Sequence, residues 1–422
     1  MKYKLYIKNA TQLVTVSKDN KPFLVGKEMS NVEIIENGSL IVDEKGVIVD
    51  VGKEQDIGPK YRDAEFERVI DASGKSVIPG FVDGHTHPVF AGDRVHEFAM
   101  KLAGATYLEV QQAGGGITFT VNHTRQASED ELLSLLQPRL DRMLRQGTTT
   151  IEAKSGYGLE KDTEMKMLKV LHRANKIHPV EIVSTYLGAH SIPKGSTAAQ
   201  ATQDIVENQL PELARLRAAG EISPANIDVF LEKGFFELDD TRRILEAGKA
   251  LGLEINFHGD ELSYMASGEL AGELKARAIS HLEKVSEEGM KTMAATPTFG
   301  VLLPTTAYVL RLEAPPARRM IELGVPVCLG SDFNPNAHCL SMPFVMNLAC
   351  VLMKMNMNES LIAATLNSAA SLNISNTHGS LEVNKFGDMI VIDSPRWEHI
   401  IYEMVDPPIL NVIKKGTVVF SK

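Results

Sequence analysis

Between residues 80 and 330 of this 422-residue chain, short apolar runs alternate with longer amphipathic ones. Eight such runs read as strands: 80–84 (GFVDG), 148–153 (TTTIEA), 181–189 (EIVSTYLGA), 227–231 (IDVFL), 253–258 (LEINFH), 278–281 (AISH), 300–303 (GVLL) and 325–330 (VPVCLG). Near-continuous apolar character, rather than strict alternation, is what a strand covered on both faces requires. Helical signatures lie between several of them, at 129–146, 161–176, 239–250 and 315–323. Pro138 is expected to kink or split the first of these helices. Repeated β-then-α units call for a parallel sheet, and eight of them call for a closed (β/α)8 barrel of TIM type. An open doubly wound sheet is the alternative. No GxGxxG follows the first strand, so the dinucleotide fingerprint is missing. The run Gly114-Gly115-Gly116 reads as a loop.

The two ends have a different texture. Residues 40–42 and 47–51 flank Asp43-Glu44-Lys45-Gly46, a turn of the kind that joins hairpin strands. Residues 388–393 (DMIVID) and 412–420 (VIKKGTVVF) are again strand-like. One small β domain built from both termini is expected around the barrel.

Composition narrows the partners. Lys and Arg number 44 against 54 Asp and Glu, a net charge of −10. That disfavours nucleic acid or an anionic membrane as the partner, because both need clustered positive charge. A small molecule is the expected ligand. Cys328, Cys339 and Cys350 are the three cysteines, an odd set without a CxxC pair. They form neither a disulfide framework nor a thiolate zinc site. The first residues alternate like a strand and lack a signal-peptide core, and no apolar run is long enough to span a bilayer. A reducing, cytoplasmic setting is expected.

The residues able to carry chemistry sit where strands give way to loops. In Val77-Ile-Pro-Gly-Phe-Val-Asp-Gly-His-Thr-His87, His85 and His87 are two apart and face the same way along a strand. At the C-terminal end of a barrel strand they can clamp one cation; the plainer reading is a pair of satisfied polar histidines. His258-Gly-Asp-Glu261 ends another strand. His258 is a candidate third imidazole ligand, and Glu261 a candidate proton acceptor for an attacking water; Asp260 is a decoy. His281 ends the strand AISH and Asp332 follows the last strand in LGSDFNPN. Alone, the first reads as structural and the second equally as a cap or turn residue. In a barrel, however, all of them share the rim where active sites are built. Three imidazoles and a carboxylate suit a borderline divalent metal such as zinc or iron, not magnesium or calcium.

PGFVDGHTH resembles the signature of the amidohydrolase superfamily, metal-dependent hydrolases with a distorted (β/α)8 barrel and a small β-sandwich built from both termini. The resemblance implies sandwich segments at 1–76 and 376–422 around a barrel at 77–375. Ser155-Gly-Tyr-Gly-Leu159, Leu187-Gly-Ala-His190, His258-Gly-Asp-Glu-Leu262 and Ser331-Asp-Phe-Asn-Pro335 narrow it to the imidazolonepropionase family. That family opens the ring of 4-imidazolone-5-propanoate, in histidine degradation, to N-formimidoyl-L-glutamate. The resemblance implies one Zn2+ or Fe2+/Fe3+ per chain on His85, His87, His258 and Asp332. It gives Glu261 the proton-shuttling role and His281 the role of assisting at the substrate carbonyl. Arg94, Tyr107, Tyr157, His190 and Asn334 match substrate-contacting positions, and a homodimer is implied. Arg94 suits a propionate carboxylate on its own chemistry, since a guanidinium fork matches a carboxylate.

Three positions depart from the family pattern. Ser280 stands where many bacterial members have Asp, so an orienting role of that Asp is absent or filled elsewhere. Ser263 and Asn336 are the others. Lys154 ends a strand and reads as non-bridging, because the family is mononuclear. Met353, Met355 and Met357 read as packing. The runner-up activity is a nucleobase deaminase of the same superfamily, which would use the same ligands and glutamate but have no use for Arg94. A non-enzymatic relative should have lost ligands, and all are present.

Overall fold

The computed structural model describes residues 2–104, 109 and 115–422. Eight strands form one parallel sheet in chain order: Phe81–Asp83 (β1), Thr148–Lys154 (β2), Glu181–Ala189 (β3), Asn226–Leu231 (β4), Glu254–Gly259 (β5), Ala278–His281 (β6), Phe299–Leu302 (β7) and Val327–Leu329 (β8). Every residue of β2, β4, β6, β7 and β8 is buried. This is why the strands read as unbroken apolar runs: one face packs inside the barrel and the other under the helices.

The sheet closes just beyond β1 and β8. Gly84 N donates to Leu329 O (3.1 Å), Asp332 N to His85 O (3.0 Å) and His87 N to Phe333 O (2.8 Å). Asp83 adds a side-chain tie by accepting from Ser331 N (2.8 Å). Burial pushes the Asp83 carboxyl up to about 7. The open doubly wound alternative is thereby excluded.

Helix Glu129–Arg145 starts at a capping box, with Ser128 Oγ accepting from Glu131 N and the Glu131 side chain accepting from Ser128 N. Contrary to expectation, it runs through Pro138 without a split. Its buried face, Leu132, Leu133, Leu136, Leu140, Met143 and Leu144, spans both sides of the proline, so packing outweighs the missing backbone bond. Gly116, read as loop, instead begins the helix Gly116–Gln126. Helices Met342–Leu352, Met357–Ala363 and Leu366–Ser371 follow the last strand; Met353 and Met355 are buried beside them.

Residues from both ends form a second, mixed sheet of eight strands. Its order is Thr417–Ser421, Ile409–Lys414, Met389–Ile392, Ser76–Pro79, Lys2–Val16, Glu33–Val42 and Ile48–Lys53, with Glu65–Asp71 also pairing Lys2–Val16. It has its own core, including Leu5, Leu13, Leu40, Val77, Met389 and Ile413. The chain crosses from this sheet into β1 at Gly80, where a Cβ would stand 2.4 Å from the Thr149 side chain.

An ionic cluster ties the two sheets together. Glu181, the first residue of β3, is 3.3 Å from Lys414 Nζ, 3.0 Å from Lys415 Nζ and 3.3 Å from His378 Nε2. Burial alone would raise the Glu181 carboxyl, but His378, Lys414 and Lys415 outweigh it and hold it well below its ordinary value of 4.5. A depressed folded-state pKa stabilises the fold above the unfolded pKa and loses that stabilisation as pH falls. Glu181→Gln is therefore expected to cost about 2 kcal/mol at pH 7. Below about pH 4.5 the gap to the unmutated protein should narrow by roughly 1.4 kcal/mol per pH unit. Denaturant titrations of both proteins at pH 7 and pH 3.5 measure it, and a gap independent of pH would refute the assignment.

Candidate metal centre and active site

Residues 84–87 continue β1 between the ends of β8 and β2, which fixes the direction of His85 and His87. Their Nε2 atoms are 3.2 Å apart, and His258 Nε2, from the end of β5, is 3.3 Å from that of His87. Asp332 Oδ1 lies 3.4 Å from His85 Nε2 and 3.5 Å from His87 Nε2. Among the described residues, the three histidines form a group whose donor atoms all lie within 4.8 Å of one another. A tetrahedral ion with bonds of about 2.0–2.1 Å keeps its donors roughly 3.3–3.4 Å apart, so the spacing fits one such ion. All four side chains are buried. Burial, followed by Lys154 and the neighbouring histidines, holds His85 and His87 well below the ordinary imidazole value. Burial also lowers His258, against the opposing pull of Asp228. Neutral imidazoles with free lone pairs are what a cation needs.

Three of the four donors, His258, His85 and Asp332, are aimed by a neighbouring side chain. Asp228 Oδ1, within β4, accepts from His258 N (3.1 Å) and lies 2.9 Å from its Nδ1. This leaves Nε2 to face the centre. Lys154 Nζ, at the end of β2, is 2.8 Å from Asp228 and 2.7 Å from Glu152. Both carboxylates occupy that ammonium, in keeping with the non-bridging reading of Lys154. Ser280 Oγ lies 2.7 Å from His85 Nδ1, so the residue at the departing position orients a different histidine. Thr306 Oγ1 donates to Asp332 Oδ2. Asp332 itself has φ 48°, and His281 has φ 80°, both in the left-handed region. Non-glycine residues in that region persist only where the surroundings hold them.

Glu261 and His281 stand beside the centre, with Oε2 of the first 3.5 Å from Nε2 of the second. Glu283, also missed, reaches within 3.8 Å of His281 Nδ1. Burial raises the Glu261 carboxyl above the usual range, with His281 opposing. Burial alone would lower His281, but Glu261, Glu283 and Asp332 reverse the direction and raise it. The arrangement pairs a cationic imidazole with a carboxyl group of raised proton affinity. Asp260 faces elsewhere: it accepts from Met265 N (2.7 Å) and from Ser267 Oγ (3.1 Å), ordering the following turn.

A cavity with about 580 Å³ of atom-free space, including its mouth, opens over these groups. Arg94, Tyr157, His190 and Asn334 line it together with Glu261, His281 and Asp332. Tyr107 lies outside the described residues. His190 Nδ1 is 2.9 Å from Gly156 O, and its ring stacks on His87 at 4.8 Å. Burial lowers it to about 3, so it is a neutral imidazole. Asn334 is largely committed to its own loop: Nδ2 donates to Asp332 O (2.7 Å) and Oδ1 accepts from Asn336 N and Ala337 N.

Buried carboxylates hold the loops that carry these side chains. Glu164 accepts from Gly156 N, Gly158 N and Leu159 N around Tyr157. Glu232 accepts from Leu262 N and Ser263 N next to Glu261.

The Amidohydrolase family model matches residues 239–419. The chain is 74% identical over 420 residues to a probable imidazolonepropionase from Dictyostelium discoideum, covering 99% of this chain and 98% of that one. It is 55% identical over 421 residues to a probable imidazolonepropionase from Homo sapiens, covering 99% of each. Among solved structures it superposes on a Xanthomonas campestris adenosine deaminase with bound zinc (TM-score 0.73, 17% identity, 100% of this chain and 93% of that one). It also superposes on a C. acetobutylicum guanine deaminase (TM-score 0.70, 17% identity, 98% and 99%). At that identity the likeness is one of fold.

Proposed function

The chain belongs to the imidazolonepropionase family, and from that premise we propose that it hydrolyses the ring amide bond of 4-imidazolone-5-propanoate to give N-formimidoyl-L-glutamate, a step of histidine degradation. The observation that carries this reading is one cavity lined by Glu261, His281 and Asp332 and, on its wall, by Arg94. His85, His87, His258 and Asp332 would hold one zinc or iron ion, which when bound lowers the pKa of water and polarises a carbonyl.

The residues of the chain supply the rest. Arg94 takes the propionate carboxylate. Tyr157 and neutral His190 offer directional hydrogen bonds to the ring. Glu261 accepts a proton from the water as its oxygen bonds to the ring carbonyl carbon. The His281 imidazolium stabilises the negative charge that develops on the carbonyl oxygen. Glu261 then returns the proton to the ring nitrogen as the C–N bond breaks. One water is consumed: its hydroxyl ends on the new carboxyl group and its hydrogen on nitrogen.

A nucleobase deaminase is the second reading, and the fold likeness to deaminases permits it. An arginine in the wall of the cavity favours the first, because a neutral base offers that arginine nothing. The purified protein is expected to consume 4-imidazolone-5-propanoate, to leave guanine untouched, and to carry about one zinc or iron ion per chain by elemental analysis. Turnover of guanine with none of the imidazolone would overturn the proposal. Three free cysteines accord with a reducing cytoplasm, and gel filtration checks the homodimer that goes with this reading.

A further inference from the structure

Arg94 and Glu97 flank the start of helix Val95–Leu102, their side chains 3% and 1% exposed. Arg94 Nε donates to Glu97 Oε1 (2.8 Å) and Nη2 donates to Oε2 (2.6 Å). Glu97 thus occupies one edge of the guanidinium. A guanidinium carries five N–H groups, and its Nη1–Nη2 edge takes a second carboxylate in the same bidentate manner. Glu97 Oε1 also accepts from Gly116 N (2.8 Å). Gly116 opens the helix whose Ile117 lines the same cavity as Arg94. One carboxylate therefore fixes the arginine and a neighbouring wall of the cavity.

We propose that Glu97 is a positioning residue that aims Arg94 at the substrate carboxylate and thereby sets the preference for an acidic side chain over a neutral one. The inference rests on the hydrolase reading above. Two effects of Glu97 oppose each other. Its charge cancels that of Arg94, so on charge alone its removal should tighten anion binding. Its geometry locks a long, rotatable side chain, so its removal obliges the substrate to order that side chain on binding. A bidentate contact depends on direction, and both edges of this guanidinium are defined only while one is held. The geometric effect therefore wins, and the sign of the change in KM separates the two.

The test uses the full-length, metal-loaded enzyme with Glu97→Gln and Glu97→Asp. Each is assayed on 4-imidazolone-5-propanoate and on the corresponding propionamide. The ratio of kcat/KM for the acid over the amide is expected to fall about tenfold or more in both variants, carried by a higher KM for the acid. Glu97→Asp keeps the charge and shortens the reach, so a loss there too marks geometry as the cause. An unchanged or lower KM for the acid in Glu97→Gln would overturn the proposal. So would an equal loss on both substrates, or failure of both variants to fold and load metal, since the pair would then be merely structural. If the unmutated enzyme turns over neither compound, the hydrolase reading itself has failed.

Discussion

Glu261→Gln should retain a full complement of metal and lose on the order of a hundredfold to ten-thousandfold in kcat. The substitution keeps the shape of the side chain and removes its capacity to take up and return a proton. Glu261 is not among the four proposed donors; its carboxylate is placed instead against His281, at 3.5 Å. Loss of turnover without loss of metal is therefore the signature of a proton carrier. Steady-state kinetics alongside elemental analysis of the same sample measures both. Turnover within a few-fold of the unmutated enzyme would remove Glu261 from the mechanism, and loss of the ion would make it a ligand.

Asp228→Asn is expected to weaken metal binding by about ten- to a hundredfold. Asp228 fixes the ring of His258 through Nδ1 and neutralises the ammonium of Lys154, in a place where neither group meets water. The amide retains the size but not the charge, so His258 becomes a poorer donor and Lys154 keeps only Glu152. Competition against a chelator of known affinity gives the change in Kd directly. An unchanged Kd would show that His258 is aimed by packing alone.

Much of this was legible in the sequence. The eight barrel strands fall within a residue or two of the apolar runs, because strands covered on both faces leave an unbroken hydrophobic trace. The proposed donors could be named because they sit at strand ends, where the topology gathers distant residues on one rim. The groups that aim them were not legible. Asp228 reaches His258 on the next strand and Ser280 reaches His85 from across the barrel, and neither meeting is written in local spacing. A signal did exist: a lone charge inside IDVFL or TTTIEA is costly to bury unless something pairs with it. Glu97, Glu164 and Glu232 were missed for a different reason. Each binds backbone N–H groups of another segment, a helix start for Glu97 and a loop for Glu164 and Glu232, and nothing in that segment's composition points back to its holder. Pro138 misled because its local penalty was judged without the helix face that compensates for it.

The hydrogen bonds that close the barrel pass through His85, Asp332 and His87 themselves. The seam of the fold and the cradle for the ion are one stretch of backbone, and neither can drift in sequence without the other. The loops pinned by Glu164 and Glu232 are under no such joint constraint. New substrates in a lineage built this way would come from exchanging pinned loops, while the seam passes unaltered from one activity to the next.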